Sequence, residues 1–163
     1  MVAISRSRVV GGGLALLAGA LVLAFWPREE PPVEEAIRRK IDEMTHAAGQ
    51  KDVSAVMEGV SERFKTDQGW DKQRVRGVLL AQVLRGQWVR LFTTDLEVTE
   101  VSPSRGDFTV KFIFGRSEGK DLEQLGQDSV MSAWRVEGSF EEEDGEWRMV
   151  RASHRRLEPS ELF

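Results

Sequence analysis

The sequence predicts an α+β domain in which three N-terminal helices pack on a curved antiparallel sheet of about four strands, preceded by one transmembrane helix. Three observations carry that prediction. Val9 to Trp26 runs 18 residues without a charge. From Val33 to Val83 apolar residues recur at three- and four-residue steps, the period of one helix face. Beyond Gly86 the period drops to two, and Asp144-Gly145 separates the last two alternating runs. Helices followed by strands, rather than strands interleaved with helices, define an α+β chain.

The uncharged run comes first. At about 1.5 Å per residue it spans roughly 27 Å, close to a hydrocarbon core of about 30 Å. Arg6 and Arg8 precede it, so the positive-inside rule keeps residues 1–8 in the cytoplasm and sends the rest outward. Phe25 and Trp26 stand where an interfacial aromatic belt sits, and Pro27 stops the helix. Residues 9–26 therefore read as a signal anchor. The placement expected is a single-pass protein of a Gram-negative inner membrane, with its domain in the periplasm. The alternative is a cleaved signal peptide, because Ala18-Gly19-Ala20 has the small-x-small form of a cleavage site. Leu21 to Trp26 carries the apolar run past that site, which favours the anchor. Gly11, Ala15 and Gly19 recur every four residues, a spacing that suits close pairing of two membrane helices.

Residues 27–32 read PREEPP, a stiff polar spacer. The domain is expected over residues 33–157, with a tail over 158–163. Val33, Ala36, Ile37, Ile41, Met44, Ala47 and Ala48 line one face of a first helix that ends near Gly49. Asp52 caps a second that carries Val53, Val56, Met57 and Val60. Asp71 caps a third that carries Val75, Val78, Leu79 and Val83 and ends at Gly86. Strands follow at Leu96–Val101, Phe108–Phe114, Val130–Phe140 and Trp147–His154, with a polar insert from Gly115 to Ser129.

Composition narrows the chemistry. The chain has 163 residues and no cysteine, which removes disulfides, zinc ribbons and thiol catalysis. Two histidines are few for a transition-metal site, and a net charge of −4 argues against a nucleic-acid partner. No HExxH, Walker A loop or GxGxxG occurs, so no cofactor and no metal is expected.

Two segments resemble a known superfamily. Gln50-Lys51-Asp52-Val53-Ser54-Ala55-Val56-Met57 is similar to the break between the first two helices in the group of nuclear transport factor 2 and ketosteroid isomerase. Asp144-Gly145-Glu146-Trp147-Arg148-Met149-Val150 is similar to the terminal hairpin of that group, where a Trp follows the turn. The resemblance covers Val33 to Leu157. It implies a conical sheet closed by helices, often around an apolar pocket, in a group that holds both enzymes and binding or dimerisation modules. The steroid isomerases use a Tyr in their oxyanion hole, and this chain has no Tyr. That departure counts against isomerase chemistry.

Candidate side chains remain. Gly115-Arg116-Ser117-Glu118-Gly119 matches the nucleophile-elbow pattern, with Asp121, Asp128 and His154 downstream in the right order. That chemistry needs a parallel sheet of βαβ units, which the chain lacks, so a polar loop explains the match. His46 stands one turn from Asp42 and Glu43 and reads as a solvated or carboxylate-paired side chain. In a straight two-residue hairpin, Arg151 lies opposite Gly138 and on the same apolar face as Trp134. Arg151 and Trp134 are therefore the ligand-binding candidates. The same register sets His154 opposite Arg135 in a structural role, and Arg155 opposite Trp134 as a cation–π pair. Glu141, Glu142, Glu143 and Asp144 read as a solvated hairpin tip. No catalytic residue is assigned. The function expected is a non-enzymatic interaction or assembly module of the cell envelope, with an envelope protein or a second copy as partner. The alternative is a small-molecule pocket of about 300–1,000 Å³ containing Arg151.

Overall fold

The computed structural model describes residues 31–84, 90–115 and 130–161. Helix α1, Val33–Gly49, buries Val33, Ala36, Ile37, Ile41 and Ala48, the stripe its spacing predicts. Glu34 and Glu35 occupy its first turn, where the helix dipole favours negative charge. Asp52 caps α2, Val53–Glu58, by accepting the Ala55 amide at 3.0 Å. Asp71 accepts the Arg74 amide at 2.9 Å at the start of α3, Lys72–Leu84. Among the described residues no helix is long and apolar enough to cross a membrane. The anchor expected at residues 9–26 lies outside them.

Five strands follow the helices or lie between them: β1 Val60–Thr66, β2 Arg90–Ser102, β3 Arg105–Gly115, β4 Val130–Glu143 and β5 Glu146–Arg156. They form one mixed sheet in the order β1-β5-β4-β3-β2. The expected count of about four is corrected to five, because β1 was read as the end of α2. Gly59 stops the helix, Val60 opens the strand, and the Met149 amide donates to the Gly59 carbonyl at 2.8 Å. Strand β1 runs parallel to β5, and the other neighbours are antiparallel. Val60 and Phe64 are its apolar residues, so no alternation announces it. Its pairing is made with chain far away in sequence. Strand β2 also starts earlier than expected, at Arg90, and bends near Asp95, where φ is 53° and the register with β3 shifts.

The helices cover one face of this sheet, here called the inner face. Val33, Ile37 and Ile41 of α1 pack on Val98, Phe108, Val110 and Phe140, with the Phe108 and Phe140 rings 5.2 Å apart. Val53, Met57, Val60 and Phe64 form a second cluster with Val75, Leu79 and Val83 of α3 packed against it. A third cluster, Phe92, Ile113, Ala133 and Leu157, sits on the outer face. All three fall between Val33 and Leu157, so the core seen among the described residues lies within the unit Pro32–Phe163.

The terminal hairpin turns at Asp144-Gly145 as expected and pairs Glu143 with Glu146, Glu142 with Trp147, Glu141 with Arg148 and Phe140 with Met149. The register then shifts. Ser139 faces Arg151, and Val150 is left over as a bulge. One extra residue reverses every side chain beyond it. Arg151 therefore lies opposite Ser139 rather than Gly138 and points outward, away from Trp134. His154 lies opposite Val136 rather than Arg135 and points inward. Arg155 faces Arg135 rather than Trp134. Gly138 sits at the shift. A Cβ there would collide with the Arg151 carbonyl oxygen and stand 2.9 Å from the Phe108 ring.

Candidate functional site

A cavity of about 160 Å³ lies between the helices and the inner face. Ile41, Met44, Thr45 and Ala48 of α1 form one wall, with Val56 of α2 and Leu79 of α3. Leu91, Phe108, Phe112, Phe114 and Met149 form the sheet side. The alternation of Phe108, Phe112 and Phe114 along β3 aims all three rings at the helices. Thr45 contributes the one polar side chain of this lining, and none of these residues titrates. The cavity is smaller than the pocket expected from the sequence, and it does not contain Arg151.

An aromatic cluster continues the inner face beside it. Phe112 of the cavity wall faces Trp134 across β3 and β4, and Trp134 faces Arg156 across β4 and β5. The His154 ring lies between two indoles, 5.4 Å from Trp134 and 6.4 Å from Trp70. Trp70 is held by its own loop, which exchanges backbone hydrogen bonds with Thr66, and the Trp70 amide donates to the Thr66 hydroxyl at 3.0 Å. The Arg74 guanidinium lies 5.6 Å from the centre of the Trp70 ring. Trp70 and Arg74 escaped the sequence reading. The available signal was a Trp set directly before the Asp71 helix cap.

The other candidates are placed as follows. Arg151 is 68% exposed and donates to Asp67 at 3.0 Å, so it is an ordinary surface ion pair. Trp134 keeps its inward position and loses Arg151 as a neighbour. His46 is exposed and contacts Gln50 at 2.8 Å. Gly115 ends β3, while Arg116 to Gly119, Asp121 and Asp128 lie outside the described residues, as does Gly86. The acidic tip is tied down in part, a correction to the solvated turn expected. Glu141 and Glu143 both bind Arg63 of β1, and Glu143 accepts the buried Ser61 hydroxyl at 2.8 Å. The Ser61 hydrogen bond and the Arg63 guanidinium hold the Glu143 carboxyl below its ordinary pKa, against the opposing effect of burial. Among the described residues no group of acids and histidines is arranged to hold a metal ion.

The outer face is charged. Lys111, Arg135 and Arg155 stand directly opposite one another on β3, β4 and β5. Asp95 pairs with Lys111 at 2.7 Å, and Glu161 grips Arg155 through two hydrogen bonds of 2.8 and 3.1 Å. Glu161 sits in the closing 3-10 turn Pro159–Glu161. The Arg155 guanidinium and the Glu158 amide lower its pKa to about 2. Arg135, in the middle, has a buried Nε with no hydrogen-bond partner among the described residues.

Helices laid over one face of a five-stranded sheet in this order define a domain of the nuclear transport factor 2-like, or cystatin-like, fold. Solved structures show the same arrangement. An NTF-2 like protein of unknown function from Shewanella oneidensis MR-1 matches with a TM-score of 0.57 and 12% identity, over 74% of this chain and 96% of its own. An uncharacterised protein with a cystatin-like fold from Caulobacter vibrioides matches with a TM-score of 0.60 and 13% identity, over 77% and 90%. A ketosteroid isomerase-like protein from Erwinia carotovora atroseptica matches with a TM-score of 0.58 and 13% identity, over 80% and 100%. At such identities the likeness shows the fold alone. The sequence matches no family model and no curated protein.

Proposed function

We propose that the chain is a non-enzymatic binding module of the cell envelope, held at the inner membrane by residues 9–26, which takes the apolar part of a small molecule between its helices and its sheet. The observation that carries this reading is the cavity wall, apolar apart from Thr45 and without a titratable side chain. A general acid or base must reach the proton it moves, and no side chain on that wall has one to offer. An apolar void of this size instead gains free energy when an apolar group fills it. The 18-residue uncharged run supports the anchor. The test uses residues 28–163 and methyl NMR with 1-octanol. The Ile41, Met44, Leu79 and Leu91 methyls should shift together and saturably, and Leu79→Trp, which fills the void, should abolish the response. Unshifted methyls at saturating alcohol would sink the reading.

A second reading keeps assembly as the role. Leu80 and Leu84 stand one turn apart on α3, and Leu84 is 85% exposed. Apolar side chains so placed favour burial against another surface, here a second copy. The outer sheet face, being charged, does not offer that surface. Native mass spectrometry of residues 28–163 should then show a dimer that Leu80→Glu with Leu84→Glu dissolves. A monomer at the highest usable concentration would remove this reading.

A further inference from the structure

We infer that the ligand is an amphipathic anion, with an apolar tail of about six carbons in the cavity and a carboxylate-like head on the guanidinium groups of Arg156 and Arg74. The inference rests on the cavity reading and adds the polar half of the ligand.

Three observations point there. First, the row Phe112, Trp134, Arg156 crosses three neighbouring strands on the inner face. Two strand spacings, about 10 Å, lead from the apolar wall to an exposed guanidinium. Second, neither Arg156 nor Arg74 has a carboxylate partner among the described residues, whereas eight other cations of the domain do. The acids on the adjoining elements are already engaged. Asp71 caps α3, Glu62 holds Lys72 and Asp67 holds Arg151. The rim is left net positive beside a neutral cavity. Third, the half-buried Trp70 and Trp134 flank the exposed His154 ring and make an aromatic ledge between the two arginines, and Arg74 is already set against it. A guanidinium resting on a ring is held in place and still presents its edge to a carboxylate. The tail length follows from volume. An apolar cavity of about 150 Å³ accepts benzene, so one of about 160 Å³ accepts six carbons.

The test is calorimetric titration of residues 28–163 with sodium octanoate, 1-octanol and sodium acetate. Octanoate should bind at least tenfold more tightly than 1-octanol, acetate should not bind, and raising the salt should weaken octanoate alone. Arg74→Gln with Arg156→Gln should bring octanoate down to the level of 1-octanol and leave 1-octanol unchanged. Equal binding of octanoate and 1-octanol overturns the anionic head while the cavity reading stands. So does octanoate affinity that survives the double substitution. Acetate binding as tight as octanoate overturns the tail. Failure of octanoate and 1-octanol alike overturns the cavity reading and this one together.

Discussion

The two faces of the sheet solve opposite problems with the same strands. The inner face is apolar where helices cover it, and incompletely filled there. The outer face carries a row of three cations, a small apolar cluster and a carboxylate clasp that closes over it. Because side chains alternate, each strand serves both faces, and one unpaired residue decides which side chain serves which. Val150 is that residue on β5. It sets Arg151 in solvent with Asp67 and turns His154 toward the two indoles. The division between a site face and a scaffold face is therefore enforced by a bulge as much as by the sequence pattern.

Removing Val150 would not undo the division, because Arg151 would then follow Met149 directly and stay opposite Ser139 on the outer face. Phe140→Ala attacks the inner face without changing register. Phe140 is fully buried against Phe108, and truncation of such a ring costs about 3–5 kcal/mol. Urea unfolding measures it. A loss below about 1 kcal/mol would show that the inner core is looser than its contacts imply.

How much of this was legible in the sequence depends on how local each signal is. Helix α1 was read to within a residue, because its stripe repeats over more than four turns. The Asp144-Gly145 hairpin was read correctly at its turn and for its first four pairs. Strand β1 was not, because its order comes from a parallel partner some 90 residues on, Val60 with Met149, and its own alternation is broken by the buried Ser61. The Val150 bulge was illegible for a related reason. It is set where β5 meets β1 on one side and the bare backbone of Gly138 on the other. Of the two ligand candidates, Trp134 keeps its expected face because it precedes the bulge in register with Phe112. Arg151 changes face because it follows the bulge. The cavity is a gap left by tertiary packing, and no residue pattern marks a gap.

The outer face yields a smaller effect of opposite sign. Arg135 stands between two cations, and its Nε is buried without a partner. Directly opposed like charges and an unsatisfied donor both oppose folding. Arg135→Met keeps the length of the stem and removes both, so it should raise stability by about 1 kcal/mol, seen as a higher urea midpoint at unchanged slope. A destabilised variant would mean that the attraction of Arg135 for Asp95 and Glu161 outweighs both.

The smallest effect concerns the clasp and is read through pH. Glu161 has a folded pKa of about 2 against an ordinary 4.5, because it accepts hydrogen bonds from Arg155 and the Glu158 amide. A carboxyl whose pKa is lowered by folding stabilises the folded state fully above its unfolded value. That contribution fades as the pH falls from about 4.5 toward the folded value. Asp95 and Glu143 are shifted in the same direction by Lys111 and by Ser61 with Arg63, so the whole protein should lose stability across this window. The clasp can be separated from them by comparing melting temperatures of the native chain and Glu161→Gln. The native chain should melt higher at pH 6, and the gap should close between pH 4.5 and pH 2 while the inner face stays folded. Since the Glu161 side chain is still about one-third open to solvent, at 36%, salt should narrow the gap at pH 6 as well. A gap that ignores both pH and salt would show that the 3-10 turn is held by Leu157 in the outer cluster and that its charges are incidental.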